Sequence, residues 1–135
     1  MKKIISVVML LLGVCGLLTN AAAEIEIHKQ GSVRYVTGGL TSEEKDEMGK
    51  LARRFPIHMV FTAEGQDEPV QGVNVTVRDV QGSVGLQAKS EGPLLFVDVI
   101  GGRYTIEAEY AGETQTQTKD LTGRRYLRLR YVFNE

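Results

Sequence analysis

From Ile57 onward the apolar residues of this chain recur at every second position, and turn residues interrupt the pattern at short intervals. Ile57, Met59 and Phe61 alternate with His58, Val60 and Thr62. After the polar loop Glu64 to Pro69, Val73, Val75 and Val77 alternate with Asn74, Thr76 and Arg78. Asp79-Val80-Gln81-Gly82 carries type I turn residues, Asp first and Gly fourth. Val84, Leu86 and Ala88 then alternate with Gly85, Gln87 and Lys89, and Glu91-Gly92-Pro93 turns the chain again. Leu94 to Ile100 is apolar except for Asp98 and predicts a central strand. Gly101-Gly102 is the next break, followed by alternating Tyr104, Ile106, Ala108 and Tyr110 and a tight turn at Ala111-Gly112. Thr114 to Leu121 is almost wholly polar and predicts an edge strand. In the last run, Leu127, Leu129, Tyr131 and Phe133 share one face. Period two means that successive side chains point to opposite faces of a sheet. About seven such strands at regular spacing predict a mainly β chain folded as an antiparallel β-sandwich.

One segment breaks the rule. Thr41 to Phe55 predicts a single N-terminal amphipathic helix, with Met48, Leu51, Ala52 and Phe55 at i, i+3, i+4 and i+7. Thr41 and Glu44 form a capping-box pair. Glu43 and Glu44 in the first turn, and Arg53 and Arg54 in the last, suit the helix dipole. Gly49 costs about 1 kcal/mol relative to alanine. Pro56 stops the helix. Before it, Ile25 and Ile27 alternate with Glu24, Glu26 and His28, a pattern too short to separate a strand from a tail.

The first 23 residues read as a secretory signal. Lys2 and Lys3 lead a continuous apolar run from Ile4 to Leu18, and Ala21-Ala22-Ala23 offers small residues for cleavage after Ala23. The run falls short of the roughly 20 residues that span a bilayer, so no stable transmembrane anchor is expected. Cys15, the one cysteine, lies inside the apolar run with Val14 before it and Gly16-Leu17-Leu18 after it, a poor context for lipidation. Cleavage after Ala23 would leave residues 24–135 as a single domain without cysteine, held by packing and not by disulfides. Lys2 and Lys3 leave with the signal, so 14 basic residues face 17 acidic ones and the net charge becomes −3. A charge of that sign argues against a general grip on nucleic acid. The expected compartment is periplasmic or secreted.

Several segments together resemble a known module. They are Gly72-Val73-Asn74-Val75-Thr76-Val77, Asp79-Val80-Gln81-Gly82, Gly92-Pro93-Leu94-Leu95-Phe96, Gly101-Gly102-Arg103-Tyr104-Thr105-Ile106 and Ala111-Gly112-Glu113-Thr114. This order of strands and glycine turns resembles the carboxypeptidase regulatory-like domain, a prealbumin-like (transthyretin-like) β-sandwich. The proline usual before the last glycine of the fourth segment is replaced by Gly101. From Val33 to Phe133 the chain also looks like small periplasmic bacterial proteins of unassigned role, in which a segment such as Tyr35-Val36-Thr37-Gly38-Gly39 precedes a charged helix. The resemblance implies fold much more than activity. The same fold includes a hydroxyisourate hydrolase with a characteristic C-terminal tetrapeptide, and Tyr131-Val132-Phe133-Asn134-Glu135 does not match it.

No catalytic, cofactor or metal constellation is evident. His28 and His58 are the only histidines, and the mature chain has no cysteine to join them in a zinc site. Ser32, Ser42, Ser83 and Ser90 sit in turns or at the helix start, without a nucleophile-elbow context. Gly38-Gly39 before a helix invites an anion, but Glu43 and Glu44 would repel one. The one basic cluster is Arg124, Arg125, Arg128 and Arg130, with Tyr126 on the face of Arg128 and Arg130. That stripe can bind an anionic partner such as a phospholipid headgroup or an acidic polysaccharide. The structural alternative, which is favoured, is cross-strand pairing with the outward Glu107 and Glu109. The expected function is therefore a non-enzymatic binding or structural module of the bacterial cell envelope. Its partner is expected to be an envelope protein or glycan, met at the Arg stripe, the polar edge strand Thr114 to Lys119 or the charged helix face. The competing expectation is a small periplasmic hydrolase whose site is assembled from dispersed residues.

Overall fold

The computed structural model describes residues 25–123 and 125–134. The signal segment and Arg124 lie outside them. Among the described residues, two sheets hold nine strands. In chain order these are β1 (His28–Gln30), β2 (Val33–Gly38), β3 (Ile57–Glu64), β4 (Asn74–Arg78), β5 (Val84–Lys89), β6 (Leu94–Asp98), β7 (Arg103–Tyr110), β8 (Glu113–Asp120) and β9 (Leu127–Asn134). One sheet runs β1-β2-β6-β3-β9 and the other β5-β4-β7-β8. The helix α1 (Ser42–Leu51) lies between β2 and β3 in sequence and continues as a 3-10 turn, Ala52–Arg54.

The seven strands expected from alternation all form. The two additional strands, β1 and β2, come from the segment before the helix. In β2 the buried residues are Val33, Val36, Thr37 and Gly38, which is not a period of two. The cause is burial on both faces: Val33 joins the core between the sheets, whereas Val36 joins a second cluster under the helix. A second correction concerns direction. The ladders are antiparallel except one, because β9 pairs with β3 in parallel. The sandwich is thus antiparallel-rich and not wholly antiparallel.

The main core is built from the inward positions of both sheets. Ile57, Met59 and Phe61 of β3 meet Leu95 and Val97 of β6, Val75 and Val77 of β4, Ile106 and Ala108 of β7, and Leu129, Tyr131 and Phe133 of β9. The Tyr131 hydroxyl crosses this core and donates to the Ile106 carbonyl at 3.0 Å. The smaller cluster, Val36, Met48, Phe55 and Phe96, fixes the helix on the outer face of the five-stranded sheet. The helix is shorter than its apolar stripe predicts, since Ala52 begins the 3-10 turn and Phe55 is already extended.

Thr41 caps that helix by accepting from the Glu44 amide at 3.1 Å. Glu44 does not close the reciprocal bond to Thr41. Its Oε1 accepts instead from the Gly39 and Leu40 amides, at 3.1 and 2.9 Å. The amides that an external anion would have used are therefore filled by the chain's own carboxylate.

Side-chain amides close both flanks of the sandwich. On one flank, Gln30 bonds the Gln87 backbone twice: Nε2 donates to its carbonyl at 2.9 Å and Oε1 accepts from its N–H at 2.8 Å. On the other, Gln115 and Gln117 donate to the Val132 and Arg130 carbonyls at 2.6 and 3.0 Å. The Asn134 amide donates to Glu113 at 2.9 Å. These bonds occupy backbone groups on the otherwise unpaired edge of β9.

Candidate functional site

The helix covers only half of the outer face of its sheet. Val36 on β2 and Phe96 on β6 lie beneath it. The other half, formed by β3 and β9, carries no helix. The parallel ladder sets His58 beside Arg128, Val60 beside Arg130 and Thr62 beside Val132. Their neighbours in sequence, Ile57, Met59 and Phe61 with Leu127, Leu129 and Tyr131, are committed to the core. Alternation therefore obliges the first set to face outward. Arg128, Arg130 and Val132 are exposed, and His58 and Val60 are partly so.

The edge of this platform next to the helix is built by two side chains that cap the helix end. His58 Nε2 lies 2.9 Å from the Ala52 carbonyl oxygen. A carbonyl only accepts, so Nε2 is the donor in this bond. The imidazole packs on Phe96, with ring centroids 4.3 Å apart, and on Tyr126 at 5.7 Å. The Tyr126 hydroxyl donates across 3.4 Å to the Arg53 carbonyl. Ala52, Arg53, His58, Tyr126 and Arg128 together line a shallow groove of about 370 Å³. A second depression of about 300 Å³ shares Tyr126 and Arg128 and extends to Lys119 and Asp120.

Few of the charges on this face are paired among the described residues, and Asp120 lines the depression beside Arg128. The ion pairs among the described residues are Arg34–Asp98, Lys50–Glu47 and Arg78–Glu107. Arg53, Arg125, Arg128 and Arg130 join none of them. The expected pairing of Arg128 and Arg130 with Glu107 and Glu109 is wrong. Those glutamates lie on β7, in the other sheet. Glu107 is taken by Arg78 Nε at 2.9 Å, and Glu109 accepts from Asn74 at 3.2 Å.

Of the residues singled out from the sequence, Tyr126, Arg128 and Arg130 are brought together on this face. Arg125 is exposed in the turn before β9. Arg124 lies outside the described residues. Two members were missed, Arg53 and His58. Each is an ordinary surface residue in sequence, and only the β3–β9 pairing brings them to Arg128. β8 is an edge strand of its sheet. The helix face mixes both signs, with Lys50 bound to Glu47 at 3.0 Å.

Among the described residues no three His, Cys, Asp or Glu side chains converge as metal ligands, and no helix is long and apolar enough to cross a membrane. No protein-family model matches the chain, and no curated protein matches it.

Proposed function

We propose that this chain is an exported, non-catalytic binding module of the bacterial cell envelope. It docks an anionic group of a protein or glycan on the platform of Arg53, His58, Tyr126, Arg128 and Arg130. The prealbumin-like, carboxypeptidase regulatory-like reading of the sandwich fits this role, because the strand faces that the core does not take are left at the surface. One observation carries the proposal. In a chain of net charge −1 overall, several arginines share one face without an ion pair among the described residues, beside an aromatic wall. Guanidinium groups held this way offer paired N–H donors to carboxylate, sulfate or phosphate. Flat rings beside them supply the apolar contact that a peptide or sugar needs.

The test is retention of the exported protein on anionic envelope fractions. Substituting Arg128→Gln with Arg130→Gln should weaken retention by about tenfold or more, given the worth of hydrogen bonds to charged groups. Retention of the wild type should also fall as salt rises. The melting temperature should move by less than about 3 °C, because both side chains are exposed and unpaired. Equal retention of the double variant would refute the platform. The hydrolase reading requires turnover of a substrate that the same variant leaves unchanged.

A further inference from the structure

The core does not close at the end where the β1–β2, β4–β5 and β6–β7 turns converge. A cleft of about 420 Å³ opens there between the sheets. Its floor is Val33 and Val77, and Tyr104 forms a wall. Its rim is apolar and exposed: Val84 is 45% and Ile100 84% accessible. A bulge in β5 makes the opening. Val77 pairs with Leu86 but Arg78 with Val84, so Gly85 is the extra residue. A Cβ at Gly85 would meet only Val33 Cγ2 at 3.8 Å and the Val77 carbonyl oxygen at 3.9 Å. Gly85 has no positive φ, so the backbone does not demand glycine. The glycine leaves space that any larger residue would fill.

The polar groups of the cleft are acidic or neutral, and no basic side chain lines it. Asp79 Oδ1 accepts from the Gln81 and Ser83 amides at 2.9 and 3.0 Å, and neither bond uses Oδ2. Asp98 contributes less, because its carboxylate is held by Arg34 at 2.7 Å. The Tyr104 hydroxyl donates to the Ile100 carbonyl at 2.5 Å and fixes the rim. Burial, with the Asp79 charge added, pushes the Tyr104 phenol above its usual value.

We infer that this cleft binds a small amphiphilic amine, with its alkyl or aryl body on Val33, Val77, Val84 and Ile100 and its ammonium group against the free oxygen of Asp79. Apolar walls with a single convergent charge are the usual composition of a small-ligand site, and the volume falls in that class. An ammonium supplies the charge-assisted bond that Asp79 lacks, whereas a carboxylate would be repelled.

The probe is n-octylamine, titrated into the exported protein while backbone amide shifts are followed, with octanoate as the charge control. Octylamine should move the Val84, Gly85 and Ile100 amides and bind about tenfold or more tightly than octanoate. Asp79→Asn should erase most of that preference. Gly85→Leu should abolish binding of both probes. Ile100→Ser changes an exposed side chain, so it should weaken octylamine binding while leaving the fold intact. Arg128→Gln with Arg130→Gln should have no effect, which separates this site from the platform. The inference fails if octylamine and octanoate bind alike, if Gly85→Leu and Ile100→Ser both bind octylamine as the wild type does, or if these amides do not respond.

Discussion

Tyr131 joins the two sheets by a single polar bond inside an apolar core. It is fully buried, stacks with Phe133 at 6.5 Å and leans on Phe61 at 5.9 Å. Burial drives its phenol far above the ordinary tyrosine value. The folded state therefore resists ionisation that the unfolded state accepts near pH 10. The associated stability is complete below that pH and drains away as pH rises toward the folded value. Tyr131→Phe should cost about 1 kcal/mol near neutrality, where it removes this one bond between the sheets. It should also flatten the alkaline limb of stability against pH, measured by urea melts from neutral to strongly alkaline solution. Some slope should persist, because Tyr104 is shifted in the same direction. An unchanged alkaline limb would mean that another group controls it.

At the level of elements, the contact between the end of β2 and the turn into β6 allows least variation. A Cβ on Gly92 would fall 2.4 Å from the Gly38 carbonyl oxygen and 2.6 Å from its carbon. Backbone cannot swing aside as a side chain can. Gly92→Ala should therefore destabilise at or beyond the upper end of the roughly 1–3 kcal/mol usual for overpacking, read as a shift of the urea midpoint. Gly49→Ala meets nothing within 4 Å and serves as the control. These elements also show what can be read from sequence. β3, β4, β5, β7 and β9 were legible because one face is dry and the other wet, so period two survives, whereas β6 was legible as an apolar run and β8 as a polar one. β2 was not, because the sheet core and the helix bury it from both sides. The capping pair was legible in its residues but not in its bonds, since Glu44 reaches past Thr41 to Gly39 and Leu40. Arg128 and Arg130 were assigned to one face correctly. Their neighbours were not, because parallel β3–β9 pairing joins segments some 70 positions apart, and no local pattern encodes it.

For the whole molecule, the seams between sheets matter more than any single strand. Gln30 stitches one flank and Gln115 and Gln117 the other. Replacing Gln115 and Gln117 together with leucine should cost about 1 kcal/mol per lost bond. It should also leave the β9 edge open to other chains. Sedimentation should then show concentration-dependent association that the wild type lacks, and a monodisperse double variant would refute the protective role. Glu113, bonded to Gln115 and to the Asn134 amide, is held below the usual carboxylate range. Its contribution is present at neutral pH and fades only in acid. The bonds from Gln115 and Gln117 to the β9 carbonyls join groups that do not titrate. Amides neither titrate nor gather counterions, so brine and acid that loosen ion pairs leave these closures shut. A protein sealed this way keeps its shape in surroundings whose salinity and acidity it does not control.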